Sequence, residues 1–262
     1  MAELPVRGAA VRELDLALPP RRLQLFRGRR PLKQWRYIGV YGPELMLCAG
    51  VARIGPLPRR WWAIAYPDGT LREGSDGIEL KAGSLSVRDG EREISLLWQE
   101  EAGMEIVSPH GGEWIWTRKF APLAVSGFVD GEPFAADGLV DESAGYHARS
   151  TAWHWSAGVG RGVGGERVAW NLVAGVHDGD PSENTVWIDG EERQPGPVPF
   201  HGLEGVGDLR FSAWASRDED SNLLIFRNSY RQPFGTFEGE LPGGGPRLAE
   251  GHGVMEWHDV RW

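Results

Sequence analysis

Alternation of apolar and polar residues, with almost no helical periodicity, constrains this chain more than any other feature. Segments 35–41, 44–54, 60–66, 93–99 and 113–119 are rich in β-branched and aromatic residues, and many end in turn signals. The same texture resumes at 153–159, 167–176, 184–188, 209–215 and 222–230, linked by Asp-Gly and Gly-Gly turns. The only helix candidate is short, around Val11 to Leu18. Many strands at short spacing predict an all-β sandwich or barrel, because curling or closing a sheet removes exposed edges. Glycine, 37 of 262 residues, is about twice its usual share of roughly 7% but comes without a collagen-like period, so it belongs to tight turns.

The two halves repeat one another. Trp35-Arg-Tyr-Ile-Gly-Val-Tyr-Gly42, an apolar run containing Gly50, and a segment with Trp62 ending at Asp68-Gly69 match a second series in the same order. That series is Trp153-His-Trp-Ser-Ala-Gly-Val-Gly160, a run ending at Gly175, and a segment with Trp187 ending at Asp189-Gly190. Further on, Phe128-Val-Asp-Gly131 matches Phe237-Glu-Gly239, and Gly138-Leu-Val-Asp141 matches Gly253-Val-Met-Glu256. Preserved order over such lengths points to internal duplication, with a first half at 1–140 and a second at 141–262, whose last strands can complete a shared interface. Much of the excess of tryptophan, 13 residues in all, is then repeated architecture.

Charge and cysteine narrow the setting. Against 28 Lys and Arg stand 37 Asp and Glu, a net charge of −9, so the basic field that nucleic acid requires is missing. The one cysteine, Cys48, lies in an apolar run and reads as core. The first residues carry acidic side chains where a signal peptide would be basic and then apolar, and no apolar run is long enough to span a bilayer. The expectation is a soluble cytoplasmic protein with no membrane span and no nucleic-acid partner. Neither HxH nor HExxH occurs among the seven histidines, no Gly-rich turn opens a helix that could hold phosphate, and Gly-x-Ser-x-Gly is absent. No metal and no cofactor are expected.

The stretch Asp141-Glu-Ser-Ala-Gly-Tyr-His-Ala-Arg-Ser-Thr-Ala-Trp-His-Trp-Ser-Ala-Gly158, with Trp170-Asn-Leu-Val-Ala-Gly175, Ser182 to Gly190 and the ending Gly253 to Trp262, resembles the family catalogued as domain of unknown function 2804. The resemblance covers nearly the whole chain. More distantly, the two-copy β layout is similar to the double lipocalin-like proteins, which include the AttH-like proteins and the carotenoid hydratases. The resemblance implies an all-β fold of two lipocalin-like antiparallel β-barrel halves packed together; fold alone does not fix function.

Three candidate catalytic groups stand out: Asp141, His147 and His258. Candidate ligand-binding residues are Tyr146, Arg149, Trp153, Trp155, Trp170, Asn171, Glu183 and Trp257. Acids, a base and aromatic faces at one cavity would suit proton transfer to an apolar molecule. Each has a structural alternative: Asp141 and Arg149 as an ion pair closing the first half, Asn171 in a network with the Glu183-Asn184 turn, Asp259 and Arg261 as a salt pair, Trp262 as a docked terminus. Alternation places Trp153 and Trp155 on one face and His154 on the other, so the three cannot line one pocket. It also puts His258 and Glu256 on a common face.

Four functions follow. One is an enzyme that hydrates, eliminates, isomerises or cyclises an apolar small molecule by metal-free acid-base chemistry, as a lyase or isomerase would. The others are a non-catalytic carrier of a lipid or isoprenoid, a carbohydrate-binding β protein, and a tryptophan-packed structural protein.

Overall fold

The computed structural model describes residues 3–101, 103–223 and 226–261. The first half comprises β1 (Val6–Arg7), β2 (Phe26–Arg27), β3 (Arg30–Pro31), β4 (Lys33–Tyr41), β5 (Met46–Ile54), β6 (Leu57–Ala65), β7 (Leu71–Gly74), β8 (Ile78–Lys81), β9 (Ser84–Asp89), β10 (Arg92–Leu97), β11 (Met104–His110), β12 (Glu113–Val129) and β13 (Glu132–Gly145). The second comprises β14 (Ser150–Gly162), β15 (Arg167–Ala174), β16 (Thr185–Ile188), β17 (Glu191–Arg193), β18 (Gly205–Val206), β19 (Leu209–Leu223), β20 (Phe226–Glu238) and β21 (Leu248–Arg261). In place of the helix expected at Val11 to Leu18 there is one 3-10 segment, Gly8–Glu13. The stretch beyond it offers only scattered apolar side chains and ends at Pro19-Pro20, which cannot extend a helix.

Both halves are wired alike. The first sheet runs β7-β6-β5-β4-β13-β12-β10-β9-β8, and the second runs β17-β16-β15-β14-β21-β20-β19-β18. In each, the opening long strand pairs with the final one, and antiparallel meanders extend outward on either side. The turns aligned in sequence fall at equivalent places: Asp68-Gly69 joins β6 to β7, and Asp189-Gly190 joins β16 to β17. Each sheet curls around its own core. The end strands β7 and β8 are consecutive in the chain but share no ladder of hydrogen bonds among the described residues.

Alternation sorts the central strands onto two buried faces. On β4, Ile38 and Val40 point into the first sheet's core, whereas Tyr37 and Tyr41 point at the second half. On β14 and β21, Trp155, Ala157 and Val254 meet that same shared cluster, and Met255 joins the second sheet's own core. The halves thus pack back to back through strands covered on both sides, which is why these segments are so apolar.

Arg7 ties the N-terminal segment to the second half. While β1 pairs with β11, the Arg7 guanidinium donates to the Ser182 carbonyl, donates to Thr185 Oγ1 at 2.9 Å and pairs with Glu192. Charge-assisted bonds of this kind contribute about 1.5 to 3 kcal/mol. Arg7→Ala is therefore expected to lower stability by about 2 kcal/mol, read as a lower urea midpoint at unchanged slope.

Candidate functional site

Toward one end of the shared interface the apolar contacts give way to a cavity of about 620 Å³, within the range of roughly 300 to 1,000 Å³ common for small-molecule sites. It lies between the two curled sheets and not inside either of them. Strands β4, β12 and β13 contribute Tyr37, Trp35, Lys119 and Asp141; β14, β20 and β21 contribute Trp153, Trp155, Tyr230 and Glu256.

Two carboxylates occupy equivalent positions in the repeat. Asp141 stands opposite Tyr37 on β4, and Glu256 stands opposite Trp155 on β14. Trp35 Nε1 donates to Asp141 Oδ2 at 3.0 Å, and its counterpart Trp153 Nε1 donates to Glu256 Oε1 at 2.8 Å. The penultimate strand supplies two more partners each time, spaced by two residues so that both share a face. They are Thr117 and Lys119 for Asp141, at 3.3 and 2.6 Å, and Tyr230 and Gln232 for Glu256, both at 3.1 Å.

The copies differ in charge. Lys119, 3% exposed, bridges Asp141 at 2.6 Å and Glu183 at 3.3 Å. Burial works against its ammonium, but the two carboxylates outweigh burial and hold it above the ordinary lysine value. Glu183 is pushed upward, chiefly by burial. At the second position the amide of Gln232 replaces the cation, so among the described residues every hydrogen-bond partner of Glu256 is neutral. Burial therefore dominates and raises Glu256 from the usual carboxylate range to about 7.

His258 packs against Trp153 with ring centres 4.3 Å apart and planes tilted by 53°, and approaches Asn228 Oδ1 at 2.6 Å through Nε2. Burial, aided by Arg217, lowers it to about 3, so the ring is neutral at ordinary pH and donates to Asn228. The Arg217 guanidinium lies over Trp61 at 5.5 Å and over Tyr230 at 5.3 Å. Trp155 meets Tyr37 edge-on at 5.5 Å and donates through Nε1 to Asn171 Oδ1 at 2.8 Å.

Of the residues selected from sequence, Asp141, His147, Trp153, Trp155, Glu183 and His258 line this cavity. Asn171 stands directly behind, donating to Glu183 Oε1 at 3.2 Å, and thereby joins the Glu183-Asn184 turn to the site. His154 faces the other way and stacks on Phe200 at 5.6 Å, as alternation required. Four others lie apart. Trp170 is core, packed on Phe237 at 5.0 Å; Tyr146 donates to the Gln24 carbonyl at 2.9 Å; Trp257 is on the opposite face of β21 from Glu256; Arg149 is exposed. Asp141 accordingly takes Lys119 as its ionic partner and not Arg149. Trp262 lies outside the described residues. Lys119, Tyr230, Gln232, His177 and Arg217 were not selected from sequence; the repeat alignment does pair Asp141 with Glu256.

Among the described residues no group of three His, Cys, Asp or Glu side chains is arranged to hold a metal ion. No described helix is long and apolar enough to cross a membrane.

No curated protein matches the sequence significantly. Among solved structures, the chain is similar to a protein designated AttH from Nitrosomonas europaea, at 14% identity over 93% of this chain and 98% of that one, with a TM-score of 0.48. It is also similar to kievitone hydratase from Nectria haematococca, at 10% identity over 86% of this chain and 88% of that one, with a TM-score of 0.36. A third similarity is to CghA with Sch210972, at 13% identity over 88% of each chain and a TM-score of 0.39. The family model described as domain of unknown function (DUF2804) matches residues 73–262, and the chain belongs to that family.

Proposed function

We propose that the chain binds an apolar small molecule in the cavity between its halves and transfers protons to and from it, with Glu256 as acid and base. The contrast between the two equivalent carboxylates carries this reading. Asp141 is clamped by Lys119, whereas Glu256 takes its hydrogen bonds from the neutral Trp153, Tyr230 and Gln232 and is raised to about 7, close to the pH at which an acid-base group is most effective. When its carboxyl gives up a proton to the ligand, the carboxylate left behind keeps the bonds from Trp153, Tyr230 and Gln232. The faces of Trp153 and Trp155 then border any positive charge that develops on the ligand. Such a step is common to hydration, elimination, isomerisation and cyclisation.

The test is to identify by mass spectrometry the compounds extracted from purified wild-type protein and from Glu256→Gln, and to incubate each compound with both. Conversion by the wild type and recovery of the unaltered compound with Glu256→Gln is the expected result. An apolar compound recovered unchanged from both proteins would replace catalysis with carriage of a lipid or isoprenoid. A glycan bound in preference to every apolar compound would overturn both.

A further inference from the structure

Charge is distributed unevenly along this chain. Between residues 16 and 67 ten Lys and Arg stand against a single acid, Glu44, whereas the remaining 18 basic residues face 36 acidic ones. Six of the ten lie on or beside two hairpins, β2–β3 and β5–β6, which touch. The Gly55 amide donates to the Leu32 carbonyl at 2.7 Å, and Phe26 and Pro31 cover Gly55 so closely that a Cβ there would lie 3.4 and 3.3 Å from them. Phe26 is nevertheless 52% exposed and Leu57, two residues beyond Gly55, 66% exposed. Exposed Pro56 stands between them. Scattered apolar side chains on a surface are ordinary, but a cluster of them rimmed by polar groups marks a contact.

This patch adjoins the opening of the cavity. Leu57, Arg59 and Trp61 alternate along β6 and share a face, and Ile54 stands directly opposite Leu57 on β5. Ile54, Arg59 and Trp61 line the cavity, so Leu57 carries its wall outward to the surface. Arg53, Arg59 and Arg60 line it too and are exposed, which places solvent at this rim. Arg27 has Glu113 at 3.2 Å and Arg59 has Glu219 at 2.7 Å. Two further carboxylates at the opening, Glu73 and Asp218, pair with Arg217 and Arg231. Arg29, Arg53 and Arg60 have no acidic partner among the described residues. From this apolar tip flanked by uncompensated arginines we infer that the chain docks on an anionic lipid bilayer through its β2–β3 and β5–β6 hairpins. Phe26 and Leu57 enter the headgroup region, and the arginines meet the negative surface potential. A nucleic acid or acidic protein satisfies the arginines but offers Phe26 and Leu57 no apolar layer to enter. A planar bilayer meets the tip alone, while the acidic remainder of the chain faces away. The inference goes beyond the chemistry assigned to Glu256, because docking requires no ligand in the cavity.

The test is sedimentation of the full chain with vesicles of phosphatidylcholine alone and with vesicles containing about one-third phosphatidylserine. Binding is expected to the second composition only, and it should fall as sodium chloride is raised from about 0.1 to about 0.5 M, where the Debye length shortens by about half. Arg29→Gln combined with Arg53→Gln should weaken it about 25-fold, or about fivefold for each charge removed near the surface. Phe26→Ser combined with Leu57→Ser should weaken it at least about tenfold, since both lose their apolar insertion. All four side chains are exposed, so the variants keep the fold. No sedimentation with the anionic vesicles, or equal sedimentation with both compositions, overturns the docking. Anionic binding that ignores the Phe26 and Leu57 substitutions and is matched by binding to polyglutamate makes an acidic macromolecule the partner and overturns the bilayer. Conversion of an extracted compound is measured in vesicle-free buffer, so the docking and the role of Glu256 can each fail alone.

Discussion

Lys119→Met should cost about 3 to 5 kcal/mol, the range for breaking a buried ion pair by removing one partner. That is a large share of the roughly 5 to 15 kcal/mol that holds a typical domain folded. Methionine keeps most of the stem's volume and removes the ammonium, leaving Asp141 and Glu183, 8% and 2% exposed, without their cation. Trp35 and Thr117 still donate to Asp141, and Asn171 still donates to Glu183. These dipoles cannot replace a full charge at that depth. Protonating Glu183, which burial already pushes upward, offers partial relief, so the loss should be greater at pH 8 than at pH 5. Adding Asp141→Asn and Glu183→Gln to the lysine variant should recover part of it. Urea titrations at the two pH values measure the effect, and a midpoint equal to the wild type would mean that both carboxylates reach water.

Glu183 lies in the loop before β16 of the second sheet, whereas Lys119 on β12 and Asp141 on β13 belong to the first sheet. The cluster is thus a polar clamp across the same interface that Tyr37, Trp155 and Val254 fill with apolar contacts. This explains why sequence reveals the architecture better than the site. Alternation and turn chemistry are local properties, and they mark β4, β5, β6, β14 and β15 within a few residues. The repeated order of Trp, Gly and Asp-Gly marks the duplication because each half preserves its own topology. Glu256 could be found in the same way, since it aligns with Asp141, yet its distinctive chemistry comes from Gln232 standing where the other half has Lys119. Nothing local to residue 256 records that difference. His177 is harder still: its sequence, His177-Asp178-Gly179-Asp180, reads as an exposed turn, and only the packing of the β15–β16 connection beside Lys119 and His147 buries it. Trp170 and Trp257 show the converse, because tryptophan also serves as core and as cover, and composition does not distinguish a wall of the cavity from either.

Glu256→Gln should be more stable than the wild type at pH 8, by up to about 3 kcal/mol relative to the difference at pH 4. In the folded chain the pKa is raised from 4.5 to about 7, so the folded state binds this proton more tightly than the unfolded one. Unfolding between those pH values releases it. The stabilisation is complete below about pH 4.5 and is lost as pH rises through about 7, whereas glutamine has no proton to lose. Glutamine can also retain the bond from Trp153 through its oxygen. The buried histidines impose the opposite slope. His147, His177 and His258 all titrate below the ordinary value, His258 at about 3, so their contribution is present above roughly pH 6.5 and is lost as pH falls. Wild-type stability should therefore peak near neutrality, and only the difference between the two proteins isolates the glutamate. Urea midpoints of both, measured from pH 4 to 8, should diverge progressively across pH 4.5 to 7. Curves that stay parallel over that range would return Glu256 to the ordinary carboxylate range and remove the reason to assign it the proton.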